Sequence, residues 1–324
     1  MTESSSARLP ESRRLNFSEV PLVDMAPLVA GVDDAVCVAE LEHACRDVGF
    51  VYIVNHGIDA VLVDDLAHEA KRFFACPAEQ KESLLVDGTM RGFLPLGYRS
   101  YEGETRAGTS RQEGFWVGHD RAPTPAVPLD ARNRWPTFAP SLKPAMERYF
   151  VAVEALSTVL MRAFALALGL APDAISTLFK RPLSRLKLNH YPPQWDVRDE
   201  HHIGVVPHSD SGGFTILWQD HHGGLEVATK DGDWVVAPPL DGAFVINLGN
   251  VMQIWTDGYF ASTPHRVINR AGTDRYSIPF FVNPSHDASI GPLNGSAEAG
   301  PGYGDYQLDI WRHTFPIAYP AAAC

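Results

Sequence analysis

The chain has 324 residues, of which 45% are hydrophobic and 20% charged, and its formal net charge is −12. This composition is ordinary for a globular protein with a sizeable core. The acidic charge argues against nucleic-acid binding, which usually requires a basic surface. No continuous apolar run approaches the roughly 18 residues of a membrane span, and the first residues lack the apolar stretch of a signal peptide. Four cysteines without a CxxC pair indicate reduced thiols, so we expect a cytoplasmic protein.

The first 138 residues are predicted to contain a flexible N-terminus (1–17) and an α/β region with loops (18–138). Within the second part, the periodicity of the apolar residues predicts alternating elements. These are a strand over 20–28, a helix over 34–48, a strand over 50–57 and a helix over 61–74. From residue 82 onwards, many Gly, Pro, Arg and aromatic residues favour loops with short strands.

A helical segment (139–180) and a β-rich catalytic core (181–320) are predicted to follow, and to form one integrated unit with the N-terminal region. The helix is predicted over 140–170, because Gly169 and a later proline mark its end. After residue 183, short β-type runs alternate with Asp-Gly and Gly-Gly turn signals. No helical pattern interrupts these runs, which disfavours βαβ units. We expect a sandwich or jelly roll of about eight antiparallel strands, with a loop over 291–304.

A His-x-Asp motif marks a candidate metal site. His208 and Asp210 lie at the end of a strand-like run. Residues i and i+2 of a strand face the same side, with Cα atoms roughly 6.6 Å apart, so both side chains can reach one ion. A third ligand must come from another strand, and His265, 54 intervening residues later, is the candidate. In a jelly roll, strands that are distant in sequence can be neighbours in space.

Two imidazoles and one carboxylate form a facial triad that leaves coordination positions open. This ligand set is typical of iron(II) enzymes that bind O2 and an organic ligand together. A structural zinc site would commonly use cysteines, and none lies near these residues. The rival pairs His201-His202 and His221-His222 are predicted to lie in loops, because adjacent strand residues face opposite ways and cannot chelate one ion.

A second polar pair, Arg275 and Ser277, follows His265 in a β-type run. The two side chains share one face of the strand by the same alternation. A guanidinium binds a carboxylate through two hydrogen bonds, and a serine hydroxyl can add a third. Beside a metal, this pair would hold the far carboxylate of a 2-oxo diacid whose other end chelates the ion.

Seven segments form an ordered set that covers nearly the whole chain. They are EVPLVDMAPL (19–28), DVGFVYIVNHGI (47–58), NHYPP (189–193), HSDSGGFTILWQD (208–220), GGLEV (223–227), NLGNVMQIWTDGYFASTPHRV (247–267) and RYSIPFFVNP (275–284). In this order they resemble the isopenicillin N synthase-like branch of the iron(II)/2-oxoglutarate-dependent dioxygenases. One departure is Asn250, where that family commonly has Asp, and we expect Asn250 to lie in a turn or behind the ligands.

The resemblance implies a mainly β fold with flanking helices, in which a distorted double-stranded β-helix (jelly roll) core carries an N-terminal α/β extension. It also implies roles for seven residues. These are Fe(II) binding by His208, Asp210 and His265, and 2-oxoglutarate binding by Arg275, Ser277, Asn189 and Tyr191.

The resemblance further implies an enzyme of secondary metabolism that uses Fe(II), O2 and 2-oxoglutarate to oxidise a small molecule, with release of succinate and CO2. Hydroxylation, desaturation, cyclisation and ethylene formation all remain open, whereas the presence of Asp210 argues against halogenation. We expect no nucleic-acid or membrane partner, and a monomer or weak homo-oligomer. The first alternative is an iron oxidase of the isopenicillin N synthase type, which keeps Arg-x-Ser without using 2-oxoglutarate. Two others are a non-catalytic metal-binding sensor and an unrelated β-sandwich with structural histidines.

The substrate is not readable from the sequence. The loops before residue 138 and the tail after Pro284 are predicted to form a lid, because functional variety resides in loops on a rigid scaffold. On its strand, Arg185 shares a face with Lys187, and both could offer positive charge to a substrate carboxylate. The full set of candidate substrate-binding residues is Arg91, Phe93, Tyr98, Arg99, Arg185, Lys187, Phe281 and Asn283.

Overall fold

The computed structural model describes residues 13–14, 20–97, 111–193, 203–295, 300–315 and 317–319. Its strands form two sheets that pack against each other through apolar side chains, including Tyr52 and Tyr191 from one sheet and Val227 from the other. Helices cover the outer face of the larger sheet, where the main hydrophobic core lies. The expected fold class, mainly β with a double-stranded β-helix core and flanking helices, is confirmed.

The larger sheet has eight strands in the order β2-β3-β11-β8-β13-β6-β5-β4. The long central strand β13 pairs antiparallel with both β6 and β8. Four strands come from the N-terminal region, so this region extends the sheet at both edges. The strands are β2 (Leu22–Asp24), β3 (Phe50–Val54), β4 (Gly92–Leu94), β5 (Glu113–Gly118), β6 (Arg185–Tyr191), β8 (Phe214–Gln219), β11 (Phe244–Leu248) and β13 (Arg275–Val282).

The smaller sheet has the order β1-β10-β9-β12-β7. Its strands are β1 (Arg13–Arg14), β7 (Val205–His208), β9 (Leu225–Ala228), β10 (Trp234–Val236) and β12 (His265–Val267). At its edge, β12 pairs antiparallel with β7. Two strands that are far apart in the sequence therefore lie side by side at this end of the fold.

Seven α-helices occur in the described part of the chain. They are α1 (Ala26–Val29), α2 (Ala35–Asp47), α3 (Ala60–Phe74), α4 (Ala78–Glu82), α5 (Leu142–Ala167), α6 (Asn250–Trp255) and α7 (Tyr303–Thr314). The side chain of Asp34 caps α2 by accepting from the backbone N–H of Cys37, and Asp59 caps α3 in the same way. These caps fix the starts of the two helices that the apolar periodicity predicts.

Helix α5 is long and apolar enough, by length and composition, to cross a membrane. In this structure it contacts α2, α3 and β13, and its apolar residues belong to the main core. Glu154 and Arg162 interrupt its apolar residues, which is why the sequence contains no continuous apolar run there.

The structure corrects three local predictions. The predicted strand over 20–28 ends at Asp24, because Pro27 lies in the first turn of α1. The predicted loop over 291–304 ends where α7 begins at Tyr303. The prediction of strands and loops after residue 183 also missed α6, which starts at Asn250 directly after β11. Helices α6 and α7 both lack a polar capping side chain, which is the signal that marks the starts of α2 and α3.

Candidate metal and co-substrate site

Strand pairing brings the three predicted metal ligands together. His208 ends β7, Asp210 lies two residues beyond it, and His265 begins β12. The antiparallel register places His265 directly opposite His208. The fold therefore brings His208 and Asp210 together with His265 of the neighbouring strand, as the sequence predicts.

The ligand atoms of the triad are close enough to share one ion. One donor atom from each of the three residues lies within 4.8 Å of the other two. Oδ1 of Asp210 lies 3.7 Å from Nε2 of His208 and 3.9 Å from Nε2 of His265. All three side chains are largely buried. Two imidazoles and one carboxylate on one side of an ion are the ligand set of a mononuclear facial-triad iron site, and the residues fit Fe(II).

Neighbouring groups orient each ligand. Oδ2 of Asp210 accepts hydrogen bonds from Oγ1 of Thr215 at 2.6 Å and from Nδ2 of Asn247 at 2.8 Å, so Oδ1 faces the histidines. Nδ1 of His208 lies 3.0 Å from a backbone carbonyl oxygen, which fixes the ring so that Nε2 faces the triad. His265 packs edge-on against Phe50, with ring centroids 5.4 Å apart.

The environment of Asp210 favours the carboxylate. Burial alone raises its pKa, but the nearby His265 and His208, with the hydrogen bonds from Thr215 and Asn247, lower the pKa overall. Asn250 lies behind this group, since its backbone N–H donates to the carbonyl oxygen of Asp210 at 2.7 Å. Its side chain accepts from Ser262, as expected for a residue that does not contact the metal.

Arg275 and Ser277 lie on the inner face of β13, opposite Tyr191 and Asn189 of β6. The Arg275 side chain is 1% exposed, and its guanidinium lies 4.6 Å from the centre of the Tyr191 ring. Nε donates to the carbonyl oxygen of Gly223, and Nη2 donates to Gln219 at 3.2 Å. Nη1 is buried without a hydrogen-bond partner among the described residues. An orphaned cationic donor of this kind fits a ligand carboxylate.

Asn189 and Ser277 complete a polar cluster with Arg275. Nδ2 of Asn189 donates to Oγ of Ser277 at 3.3 Å, which leaves the serine hydroxyl hydrogen available to a further acceptor. The Gly223-Gly224 turn has φ values of 71° and 91°, which favour glycine. This turn brings the carbonyl oxygen that holds Arg275 into place.

The predicted substrate-binding residues are distributed unevenly. Arg91, Arg185, Lys187 and Asn283 are buried, and the ring of Phe281 stacks on Trp116 with centroids 5.5 Å apart. Phe93 is not brought to this face, because it packs against Phe73 in the helix-side core. Tyr98 and Arg99 lie outside the described residues, as do His201 and His202.

His221 and His222 lie in a turn, as predicted, and His222 bonds to Asp220. Four residues near the site were missed by sequence reasoning. Thr215, Asn247 and Gln219 lie on inward-facing strand positions, so alternation carries a weak signal for them. Tyr303 is buried on α7, a helix that the sequence did not reveal.

The fold and triad thus define a mononuclear non-haem iron oxygenase, and comparison with known proteins agrees. Residues 182–284 match the 2OG-Fe(II) oxygenase superfamily, and residues 20–138 match the non-haem dioxygenase in morphine synthesis N-terminal family. The chain is 31% identical to homoarginine-6-hydroxylase 2-ODD-233 of Oryza sativa subsp. japonica, covering 91% of this chain and 95% of that protein. It is 32% identical to the 2-oxoglutarate-dependent dioxygenase citB of Monascus ruber, covering 88% and 91%.

A solved structure shares the fold. It is that of a full-length Neurospora crassa protein in complex with alpha-KG and thymine, with a TM-score of 0.80 and 24% identity over 91% of this chain and 98% of that one. The chain therefore belongs to the 2OG-Fe(II) oxygenase superfamily. It is an iron(II)/2-oxoglutarate-dependent dioxygenase that oxidises a small molecule.

Proposed function

We propose that His208, Asp210 and His265 bind the Fe(II) of this dioxygenase and that Arg275 and Ser277 anchor 2-oxoglutarate. The observation that carries the proposal is the buried Nη1 of Arg275, which has no partner among the described residues on the inner face of the sheet. A buried cationic donor without a partner costs free energy unless a ligand supplies the acceptor. A dicarboxylic co-substrate supplies it.

When bound, Fe(II) would supply O2 activation, and 2-oxoglutarate would supply two electrons through its oxidative decarboxylation to succinate and CO2. The side chains bind and orient. The two histidines present Nε2 to the ion, while Thr215 and Asn247 hold one carboxylate oxygen of Asp210 so that the other faces the ion. Arg275 and the Ser277 hydroxyl would donate to the far carboxylate of the co-substrate, beside Asn189 and Tyr191, which contact them.

A calorimetric experiment tests the assignment. 2-Oxoglutarate is titrated without O2 into the protein loaded with Mn(II), first for the wild type and then for Arg275→Gln. Loss of charge-assisted hydrogen bonds of about 1.5–3 kcal/mol each weakens binding by roughly 10- to 100-fold or more. Arg148→Gln is the control, because Arg148 and its partner Asp65 are both exposed. Equal affinities of Arg275→Gln and wild type would refute the anchor.

The runner-up is an iron oxidase that does not use 2-oxoglutarate. It keeps the Arg-x-Ser pair, so the motif does not separate the two functions. The wild-type titration does so: binding of iron without binding of 2-oxoglutarate favours the runner-up. Succinate release that depends on added 2-oxoglutarate and is lost in Asp210→Ala excludes both the runner-up and a non-catalytic sensor.

We also propose a cytoplasmic monomer or weak homo-oligomer that acts in secondary metabolism. The free cysteines Cys37, Cys45 and Cys76 support a reducing compartment. The net charge of −12 supports the monomer or weak homo-oligomer, because like-charged copies repel each other. Light scattering over a wide range of protein concentration tests the oligomeric state. The relatives bear the names of chemically different substrates, so the identity of the substrate has to come from this chain's own pocket.

A further inference from the structure

Besides Arg275, two buried guanidinium groups have no carboxylate partner among the residues that the structure describes. Arg91 is 2% exposed and Arg185 is 0% exposed. Arg91 donates to backbone carbonyl oxygens, those of Thr89, Met90 and His119. Arg185 donates to the carbonyl oxygen of Leu129 at 3.3 Å. Within the described part of the chain, Nε of Arg91 and both Nε and Nη1 of Arg185 are buried without a partner. Uncompensated buried charge is costly, so natural proteins pair it with an acid or a ligand.

The two guanidiniums lie side by side over Gly118. A Cβ atom at this glycine would lie 2.5 Å from Nη2 of Arg91 and 2.9 Å from Nη1 of Arg185. In this arrangement the absence of a side chain at Gly118 leaves room for both groups. Two like charges at such a separation repel each other, and burial lowers the pKa of Arg185 to about 10. An anion between them would relieve both costs.

The pair lies in the same row of the sheet as the support of the metal ligands. Arg185 pairs with Phe281, and Phe281 pairs with Thr215, which donates to Asp210. Neighbouring strands are about 4.8 Å apart, so Arg185 is roughly 10 Å from Thr215 across the sheet. A small substrate spans that distance. The buried Tyr303 of α7 donates to Gln307 at 2.7 Å, and Gln307 also accepts from Ser211, the residue next to Asp210.

This cationic pair is separate from the 2-oxoglutarate anchor. Arg275 pairs with Tyr191, which is six residues from Arg185 along β6. A strand rises about 3.3 Å per residue, so the two rows are roughly 20 Å apart. One molecule of 2-oxoglutarate bound at Arg275 cannot also reach Arg185.

Aromatic side chains pack around the pair. The stacked rings of Trp116 and Phe281 belong to the strands next to β6 on either side, and Trp311 of α7 lies 5.2 Å from the Arg185 guanidinium. Nε1 of Trp116 is buried without a partner among the described residues. Flat apolar walls beside a cationic end suit an organic anion with an apolar body.

We infer that Arg91 and Arg185 bind an anionic group, a carboxylate or a phosphate, on the substrate, and that its apolar body extends past Trp116 and Phe281 towards the metal. This inference rests on the proposed function, because it assigns the anion to the molecule being oxidised. Arg91 and Arg185 disfavour a cationic or neutral group of the substrate, because neither kind of group neutralises the two guanidiniums.

The test uses acid and amide pairs with the same carbon skeleton. Benzoate, 3-phenylpropanoate and hexanoate, each with its primary amide, and phenyl phosphate are titrated into Mn(II)-loaded protein saturated with 2-oxoglutarate, without O2. At least one acid is expected to bind about tenfold or more tightly than its amide. Tighter binding of phenyl phosphate than of every acid identifies a phosphate as the anion.

Substitution then locates the effect. Arg91→Met and Arg185→Met are each expected to weaken binding of that anion about tenfold, while the affinity for 2-oxoglutarate stays within about twofold. Arg148→Met is the matched control and leaves both affinities at wild-type values, because Arg148 and its partner Asp65 are both exposed. Gly118→Ala, which inserts a methyl group between the guanidiniums, weakens binding of the anion as well.

Thermal unfolding without ligand separates binding from folding. Arg185→Met is expected to melt at or above the wild-type temperature, because it removes a buried charge that has no carboxylate partner in the described part of the chain. Arg266→Met, which breaks a buried pair with Glu226 at 2.7 Å, is expected to melt about 6 °C or more lower. Acids that bind no better than their amides, or variants that bind them like wild type, overturn the inference. Loss of 2-oxoglutarate binding in the wild type would instead overturn the proposed function.

Discussion

Replacing Thr215 with valine removes one of the two hydrogen bonds to Oδ2 of Asp210 and keeps the β-branched shape that suits strand β8. A hydrogen bond to a charged acceptor contributes about 1.5–3 kcal/mol. Asn247 still donates to the same oxygen, so the lower end of that range applies. We therefore expect roughly tenfold weaker Fe(II) binding, within the 10- to 100-fold range typical of groups that orient metal ligands.

The assay is an anaerobic calorimetric titration of metal-free protein with Fe(II), repeated with Mn(II). Thr177→Val is the matched control, because the exposed Thr177 hydroxyl donates to the carbonyl oxygen of Ala174 and lies in a short 3-10 helix (Ser176–Phe179) outside the sheet. Thermal unfolding of the metal-free variants checks that both remain folded.

Two outcomes would refute this reasoning. Metal affinity of Thr215→Val within twofold of wild type would show that the hydrogen bond does not orient Asp210. Equal losses in Thr215→Val and Thr177→Val would show that the effect does not arise at the metal site.

Two further predictions concern the scaffold. Lys81→Met removes the buried partner of Glu113, 2.9 Å away, and is expected to lower the free energy of unfolding, measured in urea, by about 3 kcal/mol. The control Lys143→Met, at an exposed ion pair, is expected to change it by less than about 0.5 kcal/mol. Equal effects of the two variants would contradict this prediction. Burial raises the pKa of Cys37 to about 11 and also raises the pKa of Cys45, which keeps both thiols protonated and slow to react at pH 8. In a Cys324→Ser variant, iodoacetamide at pH 8 is therefore expected to label the more exposed Cys76 first, as measured by peptide mass spectrometry. Faster labelling of Cys37 would contradict this prediction.

Much of the candidate site was predictable because strand alternation is a local rule. His208 and Asp210 share a face by their spacing, and so do Arg275 and Ser277. The sequence by itself therefore determined the ligand types, the candidate chemistry and the mainly β fold class. The same local reasoning also excluded His221 and His222, which lie in a turn.

Only the tertiary structure decided which faces meet. The register of β12 against β7 places His265 opposite His208, and no local pattern contains that pairing. Phe93 was expected near the substrate, but the pairing of β4 with β5 places it in the helix-side core. The sequence carries no signal for Gly118, which the fold places under Arg91 and Arg185. Long-range pairing is set by packing across the whole sheet, so the buried cationic pair becomes visible only once the strands are aligned.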